Sequence, residues 1–350
     1  MILGAVYERE MRVAPRSRSL FVSRAVYCGA LLGIVATCWL VVTGSQSVTT
    51  VGDTARFGAT LMRILAPLQL SLAMLAAALT AVLAVGVEKD RRTLELLLVS
   101  RLSDAQLVLG KLAGSLLRVI LLLVAAVPIF ALAGLFGGVE PAQLGRLFLA
   151  TTAAAVATAS VANAVAFWKD TTFQSLAITA FMLAAWAAAG EAAAARFGTA
   201  AGAAASPARA IFATLEPTGG RALAPFLGVC GAVCVASSAV AVARVRRWNT
   251  TQEARRVVPA TRGADAGATV EGRPGRRAGR PAHRDVWSNP ILWREVRTRA
   301  HGRALPLVRL AWLLLFAVAV AGVANAARAD RPDRLGVATA VMPMTLASLL

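Results

Sequence analysis

Residues Ile64–Val87 read ILAPLQLSLAMLAAALTAVLAVGV, and Glu88–Ser103 follow as EKDRRTLELLLVSRLS. The first string runs 24 residues without a Lys, Arg, Asp, Glu or His. As a helix it spans about 36 Å, enough to cross the ~30 Å hydrocarbon layer of a bilayer. Backbone groups in lipid have to bond to one another, which makes the stretch a helix. The second string restores charge abruptly. It then sets Leu94, Leu97 and Leu98 at i, i+3, i+4, the apolar stripe of a short helix from Thr93 to Val99. Ser103-x-x-Gln106 has the pattern of a capping box and opens a helix running through Lys111 toward the next apolar block.

Working outward, further uncharged blocks occur at Ala25–Thr43, Val119–Phe136, Leu147–Phe167, Phe173–Gly190, Ala222–Ala243, Leu310–Ala327 and Leu335–Leu350. Hydrophobic residues are 57% of the 350, and the mean hydropathy is +0.65. A large soluble core of buried helices would leave too little polar surface to cover it. The expected fold is an all-α integral membrane protein, a polytopic helical bundle with one six-span unit and the start of a second. The divisions are a cytoplasmic amphipathic connector over 1–24, the six-span unit over 25–247, a linker over 248–285, and a second connector with two spans over 286–350.

A net charge of +19 would suggest nucleic acid in a soluble chain. Its distribution points to a membrane instead. With the N-terminus in the cytoplasm, the segments on that side hold 28 Lys and Arg and the opposite side holds 9. That asymmetry follows the positive-inside rule and places the N-terminus and the long linker in the cytoplasm; the chain is expected in the inner (plasma) membrane, in contact with anionic lipid. The first apolar block is too long for a cleaved signal and reads as a permanent anchor.

The stretch 261–284, TRGADAGATVEGRPGRRAGRPAHR, has almost nothing to bury and reads as a flexible linker. Its arginines lack interleaved aromatics, so no nucleic-acid partner is expected. On either side of it two similar strings precede a span: Tyr7-Glu8-Arg9-Glu10-Met11-Arg12, and Trp293-Arg294-Glu295-Val296-Arg297. Both suit connector helices at the membrane surface and suggest an internal duplication. Between the fifth and sixth blocks, Ala192–Phe197 and Ala208–Leu215 are broken by Gly198, Gly202 and Pro207. They read as a re-entrant hairpin or as a plain surface loop.

Chemistry is sparse. Cys230 and Cys234 share a helix face and could be a metal or redox pair, but small packing residues are the expected role. No block holds an ionisable residue, so neither an intramembrane enzyme nor a proton-driven carrier is expected. Gly110-Lys111 lacks the earlier glycine and the following Ser/Thr of a phosphate-binding loop. No cofactor is expected on this chain, and ATP would come through a partner.

The string EKDRRTLELLLVSRLS, with Gly110-Lys111 downstream, resembles the cytoplasmic loop of ABC type-2 transporter permeases. Asn289-Pro290-Ile291-Leu292-Trp293-Arg294-Glu295 resembles the restart in family members that carry two permease halves. The resemblance implies a transmembrane permease subunit of an ABC exporter, served by a separate ABC ATPase subunit and paired with a second permease unit, either a homodimer partner or a tandem half. It implies that Glu88, Lys89, Asp90, Arg91, Arg92, Thr93, Leu94, Glu95, Leu97 and Leu98 form the ATPase-coupling loop, with Leu94 and Leu97 as the docking face. It implies that Tyr7, Glu8, Arg9, Glu10 and Arg12, and again Trp293, Arg294, Glu295 and Arg297, lie on connector helices. The second half is expected to be incomplete, four spans short. The alternative is a membrane anchor or regulatory subunit that binds an ATPase without transporting.

Overall fold

The computed structural model describes residues 8, 18–45, 50–100, 102–216 and 220–249, which fold as helices and short turns. In chain order the helices are α1 (Arg18–Ser45), α2 (Val51–Asp90), α3 (Thr93–Val99), α4 (Asp104–Leu135), α5 (Pro141–Trp168), α6 (Thr172–Phe197), α7 (Thr199–Ala205), α8 (Pro207–Leu215) and α9 (Gly220–Trp248). Six of them, α1, α2, α4, α5, α6 and α9, are long and apolar enough to cross a membrane. The described residues thus form an all-α bundle, with the six spans expected over 25–247. Of the connector strings only Glu8 is described. Tyr7, Arg9, Glu10, Arg12, Trp293, Arg294, Glu295, Arg297, the linker and the last two apolar blocks lie outside the described residues.

Successive spans run antiparallel, so the bundle has an end that carries α3 and a far end opposite it. At the centre are α2 and α5, which are the most buried spans and pack closely on each other, while α1, α6 and α9 lie at the periphery. The interface explains the composition of α5. Ala150, Ala154, Ala155, Ala157, Ala159 and Ala162 are all buried, and such small side chains let helix backbones approach closely where lipid supplies no hydrophobic drive. Hydrogen bonds cross between helices inside the bundle. Ser237 Oγ donates to Ser160 Oγ at 2.9 Å, and Asn163 Nδ2 donates to the Val108 carbonyl at 3.2 Å.

Residues 51–63, which precede the uncharged block starting at Ile64, are already helical. Thr50 and Asp53 form a reciprocal capping box, with the Asp53 N–H 3.2 Å from Thr50 Oγ1 and the Thr50 N–H 3.1 Å from Asp53 Oδ2. Helix α2 therefore starts at Val51 and continues for 40 residues. Its first turns are held by the α4–α5 turn. A side chain on Gly58 would begin 2.3 Å from the Gly137 carbonyl oxygen, and one on Gly138 (φ 76°) would begin 2.3 Å from the Ala55 carbonyl oxygen. Backbone meets backbone there, and only glycine fits. Trp39, Phe57 and Phe136 close the same corner, with ring centroids 5.1–5.6 Å apart.

The segment 191–216 folds back onto the bundle. Ala192–Phe197 continues α6, so the hairpin is made by α7 and α8, hinged at Ser206 and Pro207. Pro207, Ala208, Ala210, Ile211 and Thr214 are buried against α2, α5 and α9. Gly202 is not a break. It lies within α7, where a side chain would begin 2.4 Å from the Ala194 Cβ. Arg209 ties α8 to α6 through both oxygens of Glu191, at 2.8 and 2.5 Å. Cys230 is buried in the adjoining core, consistent with a packing role.

Candidate functional site: the loop between the second and third spans

The loop begins where α2 loses its helical geometry. Arg91 caps the helix, and Arg92 takes a left-handed conformation, φ 58°, the one non-glycine residue with positive φ among the described residues. That conformation costs of order 1 kcal/mol and turns the chain sharply into α3. Helix α3 covers Thr93–Val99, as the leucine spacing predicts. Ser103 then caps α4. The Gln106 N–H bonds to Ser103 Oγ at 3.2 Å, and the Ser103 N–H bonds to Gln106 Oε1 at 3.1 Å.

Three charged residues leaving α2 are tied into the bundle. Glu88 Oε1 accepts from Lys111 Nζ on α4, in an ion pair whose side chains are only 16% and 6% exposed. The ammonium of Lys89 donates at 2.8 Å to the carbonyls of both Phe167 and Lys169, at the end of α5. Asp90 Oδ2 accepts from Thr172 Oγ1, the first residue of α6, at 3.4 Å. The amide of Asn249, following α9, donates to the same Phe167 carbonyl at 3.2 Å. The ends of α2, α5 and α9 therefore converge on one carbonyl group.

A further clamp holds α3 from outside. Arg246, in the last turn of α9, sets Nε 2.5 Å from Asp104 Oδ1. Its other nitrogens donate to the carbonyls of Leu98 at 3.5 Å and Leu102 at 3.4 Å. The guanidinium thus takes up a free carbonyl at the end of α3 and the acid opening α4. Trp168 and Trp248, at the ends of α5 and α9, have ring centroids 6.4 Å apart, and Lys169 Nζ is 3.7 Å above the Trp168 ring. Paired indoles at the ends of spans suit the membrane–water boundary.

The apolar faces of α3 are disposed differently from the sequence expectation. Leu94 is buried in the bundle core, and Leu97 and Leu98 pack half-buried against it. The outward face carries Arg91, Arg92, Thr93 and Glu95 with Leu96 (72% exposed) and Val99 (85% exposed). Leucine or valine occupies five of the seven helix positions, all but Thr93 and Glu95, in a pattern only loosely one-sided, and the i, i+3, i+4 stripe closes the lower core. Two large apolar side chains remain pointed away from the protein, a pattern suited to docking.

Sequence reasoning singled out Glu88 and Lys111 separately and missed that they pair. A lysine within an apolar helix, with no acid at i±3 or i±4, was the available sign that its partner lay elsewhere. Arg246 carried no such sign.

Residues 43–196 match the model of a family described as "ABC-2 family transporter protein". The match takes in α2 to α5 whole and the greater part of α6, and so includes the entire loop and both members of the Glu88–Lys111 pair. No curated protein matches the chain.

Proposed function

From the match of residues 43–196 to the ABC-2 family transporter model and from the six helices able to cross a membrane, we propose that the chain is the membrane-spanning permease subunit of an ABC exporter and that α3 is its coupling helix. In this reading a separate ABC ATPase subunit hydrolyses ATP and receives the outward face of α3 in a groove. The α3 end and the N-terminus lie in the cytoplasm, and a second permease unit completes the pathway.

The observation that carries the reading is the mounting of α3. A helix of seven residues is too short to be stable alone. Here its inner face is buried, its start is fixed by the Glu88–Lys111 pair, and its end is held by Arg246. Its outer face still presents Leu96 and Val99. A push on that face would reach α2, α4 and α9 through bonded contacts, as a rigid-body coupling requires. The charge distribution along the sequence supports the cytoplasmic assignment of this end.

The test is purification of the tagged chain from its native membranes under mild detergent. An ATPase bearing Walker motifs is expected to co-purify, and the complex in liposomes is expected to hydrolyse ATP faster with transported cargo present. Absence of an ATPase would overturn the reading. An ATPase whose hydrolysis ignores every candidate cargo would instead favour the anchor or regulatory alternative.

A further inference from the structure

At the far end of the bundle, Arg146 occupies the second turn of α5. Its Nε and Nη2 are buried and have no hydrogen-bond partner. These two nitrogens form one edge of the guanidinium, the edge that grips two oxygens at once. Arg209 shows the same edge in use, with Nε and Nη2 on the two oxygens of Glu191. At Arg146 neither Glu140, which precedes α5, nor Glu216, which follows α8, supplies such an acceptor.

The surroundings add to the positive potential. Arg146 Nη1 is 3.9 Å from the point where a side chain on Gly220 would begin, and Gly220 is the first residue of α9. The start of a helix carries partial positive charge, so an unpaired cation beside it is unfavourable until an anion joins them. The position also restricts the anion. Six residues into α5, Arg146 lies about 8 Å from the helix start, within reach of the phosphate layer when α5 crosses the bilayer. An arginine stem can shift its head toward that layer while its methylenes stay buried.

We infer that Arg146 binds the phosphodiester of an anionic membrane phospholipid at the far end of the bundle, through the unused edge of its guanidinium. Phosphate offers two oxygens with the spacing this edge requires. A headgroup without its own ammonium suits a site that already holds a guanidinium and the partial positive charge of a helix start. The inference does not depend on the ATPase or on α3.

The experiment uses the full chain purified in detergent and titrated with phosphatidylglycerol, with bound lipid counted by native mass spectrometry. Arg146→Gln is expected to weaken the tightest lipid about tenfold, the scale of a lost charge-assisted pair. Arg146→Lys should fall between, because it keeps the charge without the fork. Arg221→Gln, at an exposed arginine next to Gly220, should leave binding unchanged. Equal binding by wild type and Arg146→Gln would overturn the inference. So would an equal loss in Arg221→Gln, which indicates diffuse attraction, or displacement of the lipid by inorganic phosphate. If Arg146→Gln does not accumulate, full lipid affinity in Arg146→Lys would overturn it.

Discussion

Replacing Lys111 by Met is expected to destabilise the chain by about 3–5 kcal/mol, the cost of leaving a buried carboxylate without its counter-ion. Glu88 and Lys111 are both largely sequestered, so solvent cannot take over for the missing ammonium. The second oxygen of Glu88 already lacks a hydrogen-bond partner, which leaves the carboxylate little else to turn to. The double variant Glu88→Gln/Lys111→Met removes both charges and should recover most of the loss. The measurement is the unfolding midpoint of the purified chain in detergent, with membrane accumulation followed in parallel. A Lys111→Met chain as stable as wild type would show that the pair does not hold the loop.

Leu96→Asp is expected to weaken ATPase binding by at least about 2 kcal/mol, roughly thirtyfold, while the permease itself stays folded. Leu96 is exposed on the isolated chain, so a carboxylate there disturbs nothing in the bundle. Once covered by a partner, the same carboxylate would be buried unpaired. Leu97 is a poorer probe because it packs half-buried on the bundle's own core, and its substitution would perturb the mounting and the docking face together. Co-purification of the ATPase with Leu96→Asp, scored beside thermal stability of the permease alone, separates the two effects. Undiminished ATPase binding would remove Leu96 from the interface.

What could be read from the residues in advance was local or periodic. Eight uncharged blocks announce spans because the bilayer imposes their length. Six of those blocks became α1, α2, α4, α5, α6 and α9. The Ser103–Gln106 box and the extent of α3 followed from interactions within three or four residues of sequence. The Thr50–Asp53 box carried the same local signal, and passing over it made the first turns of α2 look like loop.

Facts that depend on distant packing were not legible. Helix α3 has leucine or valine at Leu94, Leu96, Leu97, Leu98 and Val99, so its pattern admits more than one buried face. Which face turns inward is decided by the contacts of Leu94 with the lower core. Arg246 meets Asp104 across 142 residues, and nothing near either residue names the other. Gly202 looked like a helix breaker because glycine usually is one, whereas here it allows α7 to approach Ala194. In each case the sequence supplied the residue type, and the fold supplied its partner.

The central claim is that the outward face of α3 is where an ATPase docks. It is tested most directly by photo-cross-linking in native membranes, with a photoreactive residue introduced at Leu96 and, in a separate chain, at the inward-facing Leu94. The account predicts an adduct from position 96 to a subunit with Walker motifs, and none to that subunit from position 94. No adduct from position 96, or equal adducts from both, would contradict it.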